Sequence, residues 1–138
     1  MLMQKLKLYL AGPITGWREN AFSELKDHFE VYDPIQHSRQ HSQSEYVPDD
    51  LAATKQCQII LAYQPKDKQP NLSMAIEATH GYCHGAMVIY IDERGTPDPL
   101  LIGISKRYFS NMDEAILFLK KISVDPAAQG MDALRETQ

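Results

Sequence analysis

The stretch Lys7-Leu8-Tyr9-Leu10-Ala11-Gly12-Pro13 decides the fold of this chain. From Lys5 onward the sequence alternates polar and apolar residues and then becomes apolar. This pattern stops at the Gly12-Pro13 pair. This pattern predicts a strand that leads into a turn. Beyond the turn, Phe22, Leu25 and Phe29 recur at the spacing of one helix face. The chain therefore begins with a strand followed by a helix.

The rest of the sequence continues this alternation. Strands are predicted at 30–33, 57–63 and 86–91, and helices at 48–56, 72–84 and 115–122. Strands that alternate with helices form βαβ units, which place the strands in a parallel sheet with helices on both faces. We therefore predict an α/β three-layer sandwich, Rossmann-like or flavodoxin-like, with a central parallel sheet of about five strands.

Three further segments are less regular. Residues 34–47 are polar and show no periodicity, so a functional or mobile loop, such as a lid, is predicted there. Pro48-Asp49-Asp50 has the composition of a helix start. Residues 100–104 are predicted as a short edge strand.

Composition limits the classes of function. The chain has 138 residues, 43% hydrophobic, and a formal charge of −4 without a clustered basic stripe, so a nucleic acid polymer is an unlikely partner. No apolar run approaches the length of a membrane span and no leader-like segment is seen, so we expect a cytoplasmic protein with no membrane partner. A single domain is predicted over 1–122, followed by a polar tail, 123–138, that lacks a folding pattern.

The residues near the carboxyl ends of the strands are the candidates for a site, because parallel α/β sheets bind ligands there. Gly12 to Gly16 forms a turn whose backbone can approach an anion, and Arg18 adds a charged fork. Glu77 lies within the first two turns of its helix, next to the expected cleft. By spacing alone, a tight turn and a solvated glutamate explain these residues equally well or better. His37 with His41 and His80 with His84 have ligand spacing, but no second cluster of Cys or carboxylate residues accompanies them at a matching spacing, so no metal is predicted. No cofactor is expected either.

A resemblance adds to this interpretation. The strand ending in Tyr9-Leu10-Ala11-Gly12-Pro13, then Asp50, then 71–77 (Asn-Leu-Ser-Met-Ala-Ile-Glu), then 85–89 (Gly-Ala-Met-Val-Ile) resemble in order and spacing the nucleoside 2-deoxyribosyltransferase family. The likeness also extends to the related 2'-deoxynucleoside 5'-phosphate N-hydrolases. It covers about Leu6 to Ile91.

The resemblance implies an enzyme that cleaves or transfers the N-glycosidic bond of a (deoxy)nucleoside or nucleoside 5'-monophosphate. It implies that Glu77 is the nucleophile, that Asp50 serves the leaving base and that Tyr9 holds the nucleophile. A carboxylate suits this role because it can capture an oxocarbenium-like sugar as a glycosyl ester. The substrate-binding residues that it implies are Gly12, Gly16, Arg18, Asn71 and Ser73. Family members complete their sites across subunits, so a homo-oligomer is expected.

Several positions depart from the family pattern. Asn71 stands where an Asp is usual, Ser73-Met74 replaces Gly-Thr, and Ala86 replaces a Lys. These differences leave a second interpretation open, a catalytically silent module that binds or senses nucleotides. A generic scaffold for protein interaction is a third. Which base and sugar are bound, and whether the sugar carries a phosphate, also stay open.

Overall fold

The computed structural model describes residues 5–124. Its five strands are β1 Lys7–Ala11, β2 Glu30–Tyr32, β3 Ile59–Gln64, β4 Met87–Asp92 and β5 Ser105–Phe109. Its helices are α1 Trp17–Leu25, α2 Pro34–His37, α3 Gln43–Gln56, α4 Leu72–Cys83, α5 Pro99–Ile104 and α6 Met112–Ser123. The predicted alternation of strands and helices is confirmed.

The strands form one sheet in the order β2-β1-β3-β4-β5, and all neighbours are parallel. The chain moves from β1 outward to β2 and then returns past β1 to β3, so the direction of winding reverses between β1 and β3. Loops that follow these two strands separate in opposite directions and leave a crevice at their carboxyl ends. The predicted α/β fold with a five-stranded parallel sheet is confirmed.

Two apolar cores lie on opposite faces of the sheet. On one face, Leu8, Leu10 and Ile89 contact residues of α1 and α6. On the other, buried residues of the strands, including Tyr9 and Ile60, pack with Met74 and Ala78 of α4 and with residues of α3 and α5. Every residue of β3 and β4 is buried, as expected for strands covered on both faces. This is the predicted three-layer sandwich.

The prediction that 34–47 is a loop is wrong. Asp33 accepts a hydrogen bond from the backbone N–H of Ile35, and Pro34 occupies the first turn, so α2 begins there. Helix α3 then begins at Gln43 and continues through Pro48. The sequence predicts a helix start at Pro48 because proline favours the first turn. In the structure it is the sixth residue of α3, and Asp50 lies inside the helix rather than at its start.

The predicted edge strand at 100–104 is also wrong. These residues belong to α5, because the Asp98 side chain accepts from the backbone N–H groups of Leu100 and Leu101, with Pro99 in the first turn. The edge strand is β5, which follows immediately. The same Asp-Pro signal thus begins both helices that the hydrophobic pattern missed.

Other predictions concern the chain ends and the membrane. Helix α6 begins with the Asn111 side chain accepting from the N–H of Glu114 and includes Ser123, which was placed in the tail. The rest of the predicted tail, from 125 onward, lies outside the described residues, and the single-domain boundary at 122 stays a prediction. Among residues 5–124, no helix combines the length and the apolar character needed to cross a bilayer.

Candidate functional site

A cavity of about 350 Å³ lies at the carboxyl ends of β1 and β3, where the winding reverses. It brings together six of the eight residues that the sequence singled out, drawn from the loop after β1 and from three helices. These are Gly12, Arg18, Asp50, Asn71, Ser73 and Glu77. The structure therefore places the two candidate carboxylates, Asp50 and Glu77, in the wall of one cavity.

Tyr9 reaches this cavity through Glu77. It lies in the centre of β1 with no exposed surface, and its hydroxyl donates a hydrogen bond to Oε2 of Glu77. Burial raises the pKa of Glu77 to about 7, while the Tyr9 hydrogen bond acts in the opposite direction and the Asp50 charge adds to the rise. Burial and the same carboxylate raise the pKa of Tyr9. Tyr9 therefore remains a donor, and Glu77 changes charge near neutral pH.

Asp50 is held by a residue at the end of α2. Its Oδ1 accepts a hydrogen bond of 2.6 Å from the hydroxyl of Ser38, which is the residue that ends α2. The Ser38 oxygen lies 2.6 Å from the Tyr32 hydroxyl. Burial raises the pKa of Asp50, whereas the Ser38 hydrogen bond lowers it. Oδ2 of Asp50 is the oxygen left for a ligand.

Most hydrogen-bond donors of the Arg18 side chain are already bonded to other groups of the protein. It is 6% exposed, and it donates to the carbonyls of Leu10, Gly12 and Pro13 and forms a 3.0 Å ion pair with Asp33. These contacts use four of the five N–H groups of a guanidinium. Arg18 fixes the loop after β1 against the start of α2, and it offers a ligand at most one donor.

The two loop glycines differ. A Cβ on Gly12 would lie 2.8 Å from the Trp17 ring and 3.0 Å from the carbonyl of Tyr63, so only glycine fits between the loop and these neighbours. Trp17 in turn donates from Nε1 to the carbonyl of Pro13 at 2.8 Å. Gly16 precedes α1 with open space around it and does not line the cavity. The structure thus does not bring Gly16 to the other predicted residues.

Asn71 and Ser73 lie at the beginning of α4. The Asn71 side chain accepts from the backbone N–H of Met74 at 2.9 Å, so its oxygen is used as a helix cap. Its amide nitrogen is the part that a ligand would meet. Ser73 is exposed in the first turn of the helix and lines the cavity. Both residues therefore line the same cavity as Glu77.

The sequence predicts a functional loop over 34–47, but not which of its residues reach the site. Pro34, Ile35, Gln40 and Tyr46 line the cavity, and Ser38 holds Asp50. All of them come from the segment that was predicted as a loop. The Asp33-Pro34 pair was the signal that would have identified α2.

A second, larger groove of about 590 Å³ adjoins the cavity at Asn71. It lies between α4 and α5 and is lined mainly by apolar residues, among them Leu72 and Leu100, which are 74% and 81% exposed. Its charged lining groups are Arg94 and Asp98. The two carboxylates that could act on a substrate, Asp50 and Glu77, do not border this groove.

The histidine pair of α4 is engaged in local contacts. The His80 ring lies 4.6 Å from that of His84 between centroids, and its Nδ1 is 2.9 Å from the Thr54 hydroxyl. Within residues 5–124, His, Cys, Asp and Glu nowhere gather in a group of three or more that could hold a metal ion.

The fold and the cavity together define a doubly wound α/β protein with a small-ligand cavity at the point where the winding reverses. Neither a protein-family model nor a curated protein matches the sequence. Solved structures do match, and they include a 2-deoxyribosyltransferase from Bacillus psychrosaccharolyticus, with a TM-score of 0.67 and 20% identity over 80% of this chain and 90% of that one.

Two further structures share the fold. A conserved protein from Enterococcus faecalis V583 matches with a TM-score of 0.66 and 14% identity, covering 86% of this chain and 99% of that one. A CMP N-glycosidase from Clostridium botulinum matches with a TM-score of 0.57 and 20% identity, covering 82% of this chain and 97% of the other. At these identities, the likeness establishes a common fold.

Proposed function

We propose that this protein is an enzyme that cleaves or transfers the N-glycosidic bond of a (deoxy)nucleoside or nucleoside 5'-monophosphate, with Glu77 as the nucleophile. The observation that carries the proposal is the placement of Glu77, bonded to the buried Tyr9, in one cavity with Asp50. Two structures that share the fold are, by name, a 2-deoxyribosyltransferase and a CMP N-glycosidase. Both names describe chemistry at this bond.

The groups in the cavity match the needs of the reaction. Departure of the base leaves positive charge on the sugar, and the carboxylate of Glu77 forms a bond to the anomeric carbon as the C–N bond breaks. The electrons of that bond go to the base, which takes a proton from Asp50. Water or a second base then attacks the anomeric carbon, gives a proton to the Asp50 carboxylate and releases Glu77 as a carboxylate. No cofactor is required by this sequence of steps.

The Arg18 contacts bear on the choice between nucleoside and nucleotide. A 5'-phosphate carries two negative charges and needs several donors to replace its hydration. Arg18 has four of its N–H groups bonded to the protein, and the ionised Glu77 that the reaction needs adds negative charge to the cavity. These observations favour an uncharged nucleoside as the substrate.

The test is base release from a panel of deoxynucleosides, ribonucleosides and their 5'-monophosphates, measured by chromatography with and without a second free base. Formation of a new nucleoside identifies transfer, and free sugar identifies hydrolysis. We expect Glu77→Gln to lower the rate by more than about a thousandfold, because the variant lacks the nucleophile. Glu114→Gln, on the exposed side of α6, is the matched control and is expected to retain activity.

Two results would contradict the proposal. One is base release that persists unchanged in Glu77→Gln. The other is an absence of release from every member of the panel at high protein concentration. Ligand-induced thermal stabilisation without release would instead favour the catalytically silent nucleotide-binding module, which the departures at Asn71, Ser73-Met74 and Ala86 left open.

We also propose that the protein forms a homo-oligomer through the apolar groove between α4 and α5. Leu72 and Leu100 present large apolar surfaces there, and the groove meets the catalytic cavity at Asn71. Exposed apolar patches of this kind are typical of interaction surfaces. Sedimentation at micromolar concentration is expected to show a dimer or larger species, and Leu100→Glu is expected to give a monomer. A monomeric native protein would contradict this expectation.

A further inference from the structure

The hydroxyl groups of Tyr32 and Ser38 form a series of hydrogen bonds that all point in one direction and end on Asp50. Ser38 has a single hydroxyl proton, and it donates that proton to Oδ1 of Asp50. The contact between Ser38 and Tyr32 must therefore use the proton of Tyr32. The order of donation is Tyr32 to Ser38 to Asp50, with both oxygen–oxygen distances at 2.6 Å.

Tyr32 and Ser38 are both held in place by further contacts. Tyr32 is the last residue of β2, and its ring stacks on that of Tyr9 with centroids 5.7 Å apart and planes 10° apart. Ser38 is 7% exposed, its backbone N–H donates to the carbonyl of Pro34, and its own carbonyl accepts from Gln40. The backbone of Ser38 is therefore fixed, and its hydroxyl is held between Tyr32 and Asp50 by the two contacts of 2.6 Å.

We infer that Ser38, oriented by Tyr32, is the positioning residue that makes Asp50 deliver its proton to the leaving base from Oδ2. This inference rests on the proposed function and assigns a role that the reaction leaves open. While Oδ1 accepts from Ser38, a proton on Asp50 resides on Oδ2, the oxygen that is left for a ligand. After transfer to the base nitrogen, the new carboxylate keeps the Ser38 hydrogen bond.

The other charged groups near Asp50 affect its pKa through their charge and not through a hydrogen bond. Asp49 on the same helix raises its pKa, Arg18 on α1 lowers it, and Glu77 on α4 lines the same cavity. Asp49 itself bonds to Arg39 outside the cavity. Among the described residues, the Ser38 hydroxyl is the side-chain donor that touches the Asp50 carboxyl group. The Ser38 contact can therefore be removed without altering those charges.

The first test does not depend on activity. The pKa of Asp50 is measured by carboxyl ¹³C NMR in the native protein, in Ser38→Ala and in Ser38→Thr. Loss of a hydrogen bond to the ionised form raises a carboxyl pKa, so we expect a rise in Ser38→Ala and a return toward the native value in Ser38→Thr. Ser44→Ala, an exposed serine of α3, is the control. An unchanged pKa in Ser38→Ala would overturn the inference.

The second test uses the leaving group. A nucleoside cleaved by the native protein is compared with its analogue that carries an electron-withdrawing halogen on the base. We expect Ser38→Ala to lower kcat about tenfold for the parent nucleoside, with KM little changed, and clearly less for the halogenated one, which needs less help from a proton. Equal losses for both substrates would mean that Ser38 only maintains the structure, and would overturn the inference.

Tyr32→Phe provides a second variant if Ser38→Ala unfolds, because it keeps the stacked ring and removes only the hydroxyl. Its expected effect has the same substrate dependence and is smaller. If the native protein cleaves no nucleoside at all, the proposed function fails, while the NMR titration still decides whether Ser38 controls Asp50. If the native protein is active and Ser38→Ala behaves like Ser44→Ala, the inference fails alone.

Discussion

Glu77 and Asp50 line the same cavity but are anchored to very different parts of the molecule. Glu77 is bonded directly to Tyr9, a fully buried residue of the central strand β1. Asp50 is bonded to Ser38, the residue that ends the four-residue helix α2 beside the edge strand β2. One carboxylate is thus fixed by the core of the sheet and the other by its periphery. The difference indicates that Glu77, the proposed nucleophile, is the more firmly held of the two carboxylates, and that Asp50, the proposed acid, is the more adjustable one.

Replacement of Asp50, the proposed acid, is expected to have the largest effect on the rate. Asp50→Asn is expected to lower kcat by about 10²–10⁴-fold, the usual contribution of a general acid, because the amide has no acidic proton. The Asp50 charge also raises the pKa of Glu77. The variant should therefore ionise Glu77 at lower pH, and the rising limb of the residual rate should move to lower pH.

The control for this prediction is Asp49→Asn, the neighbouring residue, which bonds to Arg39 outside the cavity. It is expected to keep nearly full activity in the same assay. A rate in Asp50→Asn equal to that of Asp49→Asn would show that the base leaves without help from α3.

Loss of the Tyr9 hydrogen bond to Glu77 should lower the rate by less than the loss of Asp50 does. It should also shift the pH profile in the opposite direction. Tyr9→Phe removes a hydrogen bond that lowers the pKa of Glu77, whose value is about 7 with the bond in place. The reaction needs ionised Glu77, so activity rises as pH increases through this pKa. In the variant, the rising limb of kcat/KM should move to higher pH, and the rate at neutral pH should fall about tenfold.

Tyr108→Phe is the matched control, since the Tyr108 hydroxyl donates to the Asp92 carbonyl and lies away from the cavity. Its pH profile is expected to coincide with that of the native protein. A rising limb that stays in place in Tyr9→Phe would mean that the buried tyrosine does not set the charge of Glu77.

Sequence reasoning recovered β3 and β4 because these strands are buried on both faces and therefore appear as continuous apolar runs, Ile59–Gln64 and Met87–Asp92. It placed the edge strand at 100–104 and not at β5, whose residues are mostly half-buried. It failed for α2 and α5, which have four and six residues. Helices so short show no full amphipathic period, and their evidence is confined to the cap. Asp33-Pro34 and Asp98-Pro99 are such caps.

The candidate site was only partly predictable for a related reason. Gly12 directly follows a predicted strand, and the strand ends determine where the loops meet. Glu77 lies in a helix, and its role at the cavity was predicted from the family resemblance and not from its spacing. Arg18 was expected to face a ligand, but its contacts with three backbone carbonyls and Asp33 depend on the folded shape of the loop. The role of Ser38 depends on α2, and without that helix no pattern distinguished it from other polar residues.

The Arg18–Asp33 pair has a consequence for attempts to change the specificity of this protein. The guanidinium joins the loop after β1 to the start of α2, and both ends of the pair are nearly inaccessible to water. Removal of either partner would leave an uncompensated buried charge at a cost of about 3–5 kcal/mol. A library aimed at new substrates should therefore keep both residues and vary Ile14, Ile35 and Tyr46, which face the same cavity without holding its walls together.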